Sequence, residues 1–432
     1  MKDFIKRQPA VRIIAVGFLS VIILGSILLS LPCSVSDGVY LSYIDALYTA
    51  TSAVCVTGLS TVDVAHTFTP IGQTFLILLI QIGGLGITSV GAGVILLVGK
   101  KMDLKSRNLI RESMNFDSGK GVIRFLKSVI YTTVLIELCG AVLNFFVFIK
   151  EFPFLKAVGM SLFHSISSFN NAGFDLLGNF ESLSRYYDNA YLNIVTCVLI
   201  FLGGIGFLVI KDVRMNRFRW KKLSLHSKVV LSTSAVLIVA GTLLFKLTED
   251  ITWLGAFFAS VSARTAGFAT LSLDKFSNAG LMIMMALMLI GASPGSTGGG
   301  MKTSTIFVLF KGMRSSATNK SERAYKYSIP RDAFKKASII ALFAISVVFF
   351  ATVVVCCLEP RMALGDILFE MASAMGTVGL STGITPTLSG ASKIVSMLVM
   401  YIGRLGAWTI VSLWSFSKEE RISYPEGDIA IG

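Results

Sequence analysis

Residues 43–63 read YIDALYTATSAVCVTGLSTVD. The stretch opens on aromatic and large apolar residues, passes through small Ala, Ser and Thr, and closes on a short polar run and a glycine. The pattern returns as LFHSISSFNNAGFDLLG (162–178), AFFASVSARTAGFATLSL (256–273) and ILFEMASAMGTVGLSTGIT (367–385). The matched glycines are Gly58, Gly173, Gly267 and Gly379, at intervals of 115, 94 and 112 residues. Internal repetition fixes an architecture before local propensity does. About ten residues precede each glycine, which as helix is roughly 15 Å, half a bilayer.

The rest of the chain supplies the membrane. Of 432 residues, 53% are hydrophobic and 15% charged, with a mean hydropathy of +0.73; soluble domains carry about 25% charged residues. Segments 13–31, 189–210, 229–245 and 337–358 have no charge, and 128–149 has only Glu137. Each is long enough to span. The first follows Lys2, Lys6, Arg7 and Arg12 but is too long for a signal-peptide core, and proline precedes Cys33 in LSLPCS. It reads as an uncleaved first span.

The net charge of +14 is concentrated. Residues 100–127 hold eight Lys/Arg, 211–228 seven and 311–336 eight. Such loops mark the cytoplasmic side, so both termini and these loops are expected inside, and nucleic acid is not the partner. The six cysteines read as packing residues, and three scattered histidines offer no metal cluster.

Between basic loops the chain must leave and return, with a half-length segment in the middle. Backbone that is not helical at membrane depth is tolerated only in protein or around a water-filled cavity. The expected fold is therefore an all-α membrane protein of four M1-P-M2 repeats. Eight transmembrane helices and four re-entrant pore half-helices with filter strands surround one pseudo-fourfold pore. The units run 1–105, 106–222, 223–325 and 326–432. A second glycine cluster follows each unit's strand: LIQIGGLGITSVG, LIFLGGIGFLVI, LMLIGASPGSTGGG and VMYIGRLGAWTI.

Four half-helices entering from one side aim C-terminal ends, each worth roughly −0.5 charge, at one axis. The returning strands can aim backbone carbonyls there, and rings of carbonyls replace the hydration shell of K⁺. Glycine permits the backbone this needs. The strands contain no acid, which suits a monovalent ion. Small residues also serve close helix packing, but four matched copies, each after a half-length helix, favour the pore.

CVTGLS, FNNAGF, RTAGF and GTVGLSTG resemble the four filter segments of the Trk/Ktr/HKT superfamily of potassium transporters, over nearly the whole chain. The first span begins near the N-terminus without a preceding pair, which looks more like the Ktr-type (KtrB) subunit than the Trk type. The resemblance implies K⁺ uptake in a bacterial inner or plasma membrane, a homodimer in membrane lipid, and a cytosolic RCK-type (KtrA-like) ring that binds nucleotide in trans. It implies no covalent cofactor, only K⁺ and Na⁺ as transported or coupling ions. The filter carbonyls would come from Val56, Thr57 and Gly58; Asn171, Ala172 and Gly173; Thr265, Ala266 and Gly267; Thr377, Val378 and Gly379. Only the first and fourth segments keep a TVG-like form, so looser K⁺/Na⁺ selectivity than a channel's is expected.

GASPGSTGGGMKTST (291–305) nearly spells a phosphate-binding loop, but its lysine is one place late and helix, not strand, precedes it. Its alternatives are a packed kink and an unwound loop below the filter. The resemblance favours the second, an intramembrane gate over 291–302 that includes Gly295, Ser296, Thr297, Gly298, Gly299, Gly300 and Lys302. Lys302 is expected at its cytoplasmic end. Intramembrane charges are functional by default. Arg404 is expected to face the pore and bond the gate when closed. Glu370 could brace the filter, Asp45 could be a helix-terminal charge, and Glu137 could pair with another segment or carry a coupling ion. Arg264 should point away from the axis, toward an acid such as Glu370.

A membrane potential of 100 mV favours each entering K⁺ by ~2.3 kcal/mol, roughly 50-fold accumulation. Potential-driven, Na⁺-stimulated K⁺ uptake is the first expectation. A secondary symporter coupled to H⁺ or Na⁺ is its rival, with Glu137 its candidate site. No nucleophile–base pair supports an enzyme.

Overall fold

The computed structural model describes residues 10–86, 89–91, 121–319 and 321–413. Its regular structure is helical, apart from a two-stranded hairpin, Arg323–Ala324 with Tyr327–Ser328. Among the described residues, four helices are long and apolar enough to cross a membrane. They are α1 (Ala10–Leu29), α4 (Val122–Phe148), α8 (Leu225–Thr248) and α12 (Arg331–Leu358). Each turns large apolar side chains outward, among them Leu24 on α1, Leu138 on α4, Val236 on α8 and Phe350 on α12. Such a surface is costly in water and suits lipid.

After each long helix comes a shorter one: α2 (Tyr43–Cys55), α5 (Phe154–Asn170), α9 (Trp253–Ser262) and α13 (Leu364–Gly376). Their lengths are 13, 17, 10 and 13 residues. The uniform ten expected from sequence holds only for α9. Pro153 sets the entry to α5, and its helix runs without interruption to the left-handed Asn171, so a longer element still ends at the same strand.

The third helix of each set starts at a hydroxyl or amide cap: α3 (Pro70–Leu85) at Thr69, α6 (Ala190–Gly204) at Asn189, α10 (Asn278–Leu289) at Ser277 and α14 (Gly390–Leu405) at Ser389. These side chains accept backbone N–H groups that would otherwise be orphaned. None of the four runs on as a continuous span. Gly86, Gly206 and Gly406 stop three of them with φ between +82° and +89°. The segment 189–210, expected as one span, is α6 and α7 (Phe207–Met215), meeting at 97°. After α10 the chain unwinds until α11 (Thr303–Thr318); α15 (Ala407–Leu413) follows Gly406. Charge-free sequence satisfies a length test, but a glycine held at positive φ ends a helix within it.

Packing between the sets closes a cycle. Helix α3 packs on α5, α6 on α9, α10 on α13, and α14 returns to α2. The closing seam is polar. Lys393 of α14 donates to Asp45 of α2 at 2.7 Å, and Tyr48 Oη meets Ser396 Oγ at 3.0 Å. Asp45 is thus a helix-terminal charge with a partner from the far end of the chain. The chain termini, most of the first basic loop and the boundary expected at 105/106 lie outside the described residues.

Candidate ion pathway

The cycle brings Gly58, Gly173, Gly267 and Gly379 together. A methyl group built on Gly58 would strike the Ala172 carbonyl oxygen, one on Gly173 that of Ala266, one on Gly267 that of Val378 and one on Gly379 that of Thr57. The four carbonyls and four glycines therefore form a closed ring in chain order. All four glycines have φ between +70° and +98°, and so do their neighbours two places earlier in sign: Val56, Asn171, Thr265 and Thr377. The residue between keeps a negative φ in each strand. Alternating handedness turns successive peptide planes over, so carbonyls line one side of the strand.

What holds these strands was only partly visible in the sequence. Val56, Asn171 and Thr377 are left-handed caps of α2, α5 and α13. The following N–H groups of Thr57, Ala172 and Val378 reach back to the carbonyls of Ser52, Ser167 and Ser373 at 2.8, 2.8 and 3.0 Å. This is the Schellman closure of a helix end. The same serines act again through their hydroxyls. Ser52 accepts from Gly58 N at 3.0 Å and Ser373 from Gly379 N at 3.1 Å, while Ser167 donates to Phe174 O at 2.7 Å. Ser262 plays that part in the third strand, bonding Phe268 O and accepting Ala266 N on its backbone. A serine six places before the glycine, five in the third copy, was the available signal.

Above the ring is a cavity of about 260 Å³ lined by all four glycines and by Asp63 and Asp175. Asp63 accepts from Ala65 N and Asn179 N and pairs with His66 Nδ1 at 2.7 Å. Burial pushes the Asp175 carboxyl up to about 6; the Leu177 and Gly178 amides oppose this, and the charges of Asp63 and Glu181 add to it. The carboxylate is therefore charged above that pH and neutral below it. With this cleft as the outer mouth that the resemblance to potassium transporters leads one to expect, cation uptake at sub-saturating concentration should fall roughly threefold as external pH drops from about 7.5 to 5, since a charged cleft concentrates counter-ions. Uptake by Asp175→Asn should be flat over the same range, measured beside His66→Gln, which removes the Asp63 partner. A full pH response in Asp175→Asn would contradict this.

On the other side of the ring, residues 290–302 form a largely buried loop bonded to the second and fourth sets of helices. Thr297 donates from N to Gly203 O at 3.2 Å and from Oγ1 to Phe169 O at 3.2 Å. Ser293 N donates to Gly204 O at 2.9 Å, and Gly295 O accepts Phe207 N at 3.0 Å. Gly299 N donates to Thr377 Oγ1 at 3.0 Å, and a methyl on Gly298 would meet Thr265 Oγ1 at 2.5 Å. Arg404 completes the set: its guanidinium donates to Thr297 O on the loop and to Gly83 O and Gly84 O at the end of α3. Lys302 stands at the end of the loop, where α11 starts, but its side chain does not extend away from it. Its ammonium turns back and donates to Gly298 O at 2.8 Å, satisfying a carbonyl that the unwound backbone leaves open.

Three other charges settle behind the strands. Glu137 accepts from Gln81 Nε2 at 3.2 Å and Asn170 Nδ2 at 2.9 Å, joining α4 to α3 and to the end of α5. Glu370, fully buried, accepts from the Thr385 hydroxyl beyond the fourth strand. Arg264 does not pair with Glu370. Its guanidinium points to α8 and donates to Ser234 O at 3.3 Å and Ser234 Oγ at 3.2 Å; α9, which ends two residues before Arg264, packs along α8. Among the described residues no group of His, Cys, Asp and Glu could hold a metal.

Carbonyls packed against four glycines at the centre of an apolar helical cage, with carboxylates on one side and a glycine loop on the other, are the build of a multi-pass membrane protein. Comparison with known proteins agrees. The family model described as TrkH, cation transport protein, matches residues 10–421, and the chain belongs to that family. It is 39% identical to the potassium/sodium uptake protein NtpJ of Enterococcus hirae, over 99% of this chain and 98% of that one. It is 35% identical to the Ktr system potassium uptake protein B of Bacillus subtilis, over 98% and 96%. Its fold matches the potassium transporter TrkH of Vibrio parahaemolyticus with a TM-score of 0.71 at 19% identity, covering 93% of this chain and 85% of that one.

Proposed function

We propose that this protein takes up K⁺ through the axis of the four glycine strands, down the membrane potential. The closed ring of Gly58, Gly173, Gly267 and Gly379 against four neighbouring carbonyls carries the proposal. In it, each set of long helix, short helix and broken helix is one M1-P-M2 repeat, and the four repeats surround one pore. Dipolar carbonyls suit a monovalent cation. The names of the two relatives above, potassium/sodium uptake and potassium uptake, support K⁺ as the main ion and Na⁺ as a second ion or activator. Alanine beside the second and third glycines supports a filter looser than a channel's.

The loop at 291–302 is the gate, and Arg404 is its latch. With both ends of the guanidinium engaged, the gate is shut. An actuator is then required, and the basic cytoplasmic loops suit a nucleotide-binding RCK ring acting on a homodimer. Glu137 is held by two neutral amides between the first and second sets. That is a brace, which favours conduction over stoichiometric symport. Rubidium uptake should be restored in a bacterial cell that lacks its own K⁺ uptake systems, and should rise when an RCK-type subunit is co-expressed. No uptake in either condition, with the protein present in the membrane, would sink the proposal.

A further inference from the structure

The residues three places before the ring glycines are Cys55, Asn170, Arg264 and Gly376. Only the third copy puts a charge there. Arg264 is 8% exposed, and Ser234, its partner on α8, is fully buried. The guanidinium makes two long bonds, both to Ser234, and its Nε has no partner. Neither acceptor is charged. Helices α8, α9, α10 and α11, and the loop between the last two, contain no Asp or Glu. Among the described residues no ion pair involves Arg264. The acids that could have served are engaged elsewhere: Glu370 accepts from Thr385, and Glu249, just past the end of α8, accepts from Ser277.

A buried charge without a counter-charge is costly, because burial strips its water and nothing opposite offsets the loss. Inside a membrane such a charge is functional by default. What surrounds Arg264 is dipolar. Helix α9 ends at Ser262, and Arg264 N donates to Val261 O at 3.2 Å, so the negative end of that helix lies at the arginine's own backbone. A full positive charge thus opposes one of the four short-helix ends. Behind the second and fourth strands lie carboxylates instead, Glu137 and Glu370. We propose that Arg264 is a specificity residue, whose uncompensated charge makes the ring discriminate against divalent cations. The proposal rests on the ring as the ion path. Carbonyl dipoles attract a divalent ion more strongly than a monovalent one, and Ba²⁺ is close to K⁺ in size, so dipoles and fit alone would admit it. Repulsion by a fixed cation grows with the charge of the ion. At about 10 Å and an effective dielectric of about 20, one buried charge weakens a monovalent ion on the order of tenfold and a divalent ion on the order of 100-fold. Turned toward α8, the side chain leaves the axis open while its field still reaches it.

The test is rubidium influx into cells expressing the full chain, titrated with external Ba²⁺. Arg264→Met keeps the bulk and removes the charge, an exchange that folds tolerate at buried sites. The half-blocking Ba²⁺ concentration should fall on the order of 100-fold, and the rubidium concentration for half-maximal influx only about tenfold. Ser234→Asp leaves the arginine in place and gives it a carboxylate; Ba²⁺ block should tighten there as well. Arg264→Lys keeps the charge and should restore the parent's resistance to Ba²⁺. Equal shifts for Rb⁺ and Ba²⁺ would make Arg264 structural and overturn the proposal. So would unchanged Ba²⁺ block in both Arg264→Met and Ser234→Asp; with influx still lost in Gly379→Ser, the ion path would stand without it. Influx that survives Gly379→Ser would overturn the path and the proposal together. Bromide density on the guanidinium, in crystals grown with bromide, would also overturn it, because a bound anion would neutralise the charge.

Discussion

Gly379→Ser should lower K⁺ uptake on the order of 100-fold or more while the protein still reaches the membrane. Two effects combine. The backbone at Gly379 has φ +98°, where a side chain is strained by about 1–3 kcal/mol. The new Cβ would also meet the Thr57 carbonyl oxygen across the ring and displace what the proposed pathway makes an ion ligand. Gly383 separates these effects. It too has φ +98°, but a Cβ there meets nothing within 4 Å. Gly383→Ser therefore carries the strain without the obstruction, and uptake should stay within about threefold of the parent. Strain of that size can be absorbed in an exposed turn. Equal losses at the two positions would show that backbone strain, not the ring, is what Gly379 protects against. Rubidium flux into cells expressing each variant at matched membrane levels is the measurement.

Arg404→Gln should open the pathway in the absence of any regulator. The guanidinium ties the loop at Thr297 to the end of α3 at Gly83 and Gly84. Hydrogen bonds from a charged donor contribute about 1.5–3 kcal/mol each. Losing about 3 kcal/mol of bias toward the shut arrangement shifts a two-state equilibrium roughly 150-fold. Glutamine can still reach one carbonyl but not two on different elements. Basal K⁺ efflux from liposomes containing the purified variant should rise at least tenfold, with part of the shift lost to residual loop bonds such as Gly299 N to Thr377 Oγ1. Removing residues 294–300 should do the same by deleting the loop's contacts with α6 and α7. A variant that folds and stays shut in both forms would refute the gate.

Much of this was legible from the repeated segments alone. Four glycines at one place in a recurring pattern predict one axis, and the structure brings them into contact. The charges behind the axis were less legible. Arg264 and Glu370 are opposite in sign and both near a strand, yet Ser234 lies closer to Arg264 in space, and sequence does not order neighbours across helices. Lys302 looked like a boundary charge because lysines usually mark the aqueous edge. It turns inward to the Gly298 carbonyl, which the unwound loop leaves without a helical partner. The breaks in the third helices were hidden for another reason. GGLG, GGIG and GRLG sit inside apolar runs, and hydropathy measures transfer from water, not the handedness of a backbone. The serines of the strands were hidden in plain composition; their offset of six places from the glycine, five in the third copy, was the mark of their role.

The central claim is that one monovalent-cation path runs through the glycine ring. Anomalous diffraction from crystals of the protein soaked in Tl⁺ or Rb⁺ addresses it most directly. The account predicts a peak on the axis enclosed by the carbonyls of Thr57, Ala172, Ala266 and Val378, lost when Na⁺ replaces the soaked ion in large excess. Heavy-ion density confined to Glu137 between α3, α4 and α5, with an empty ring, would contradict it.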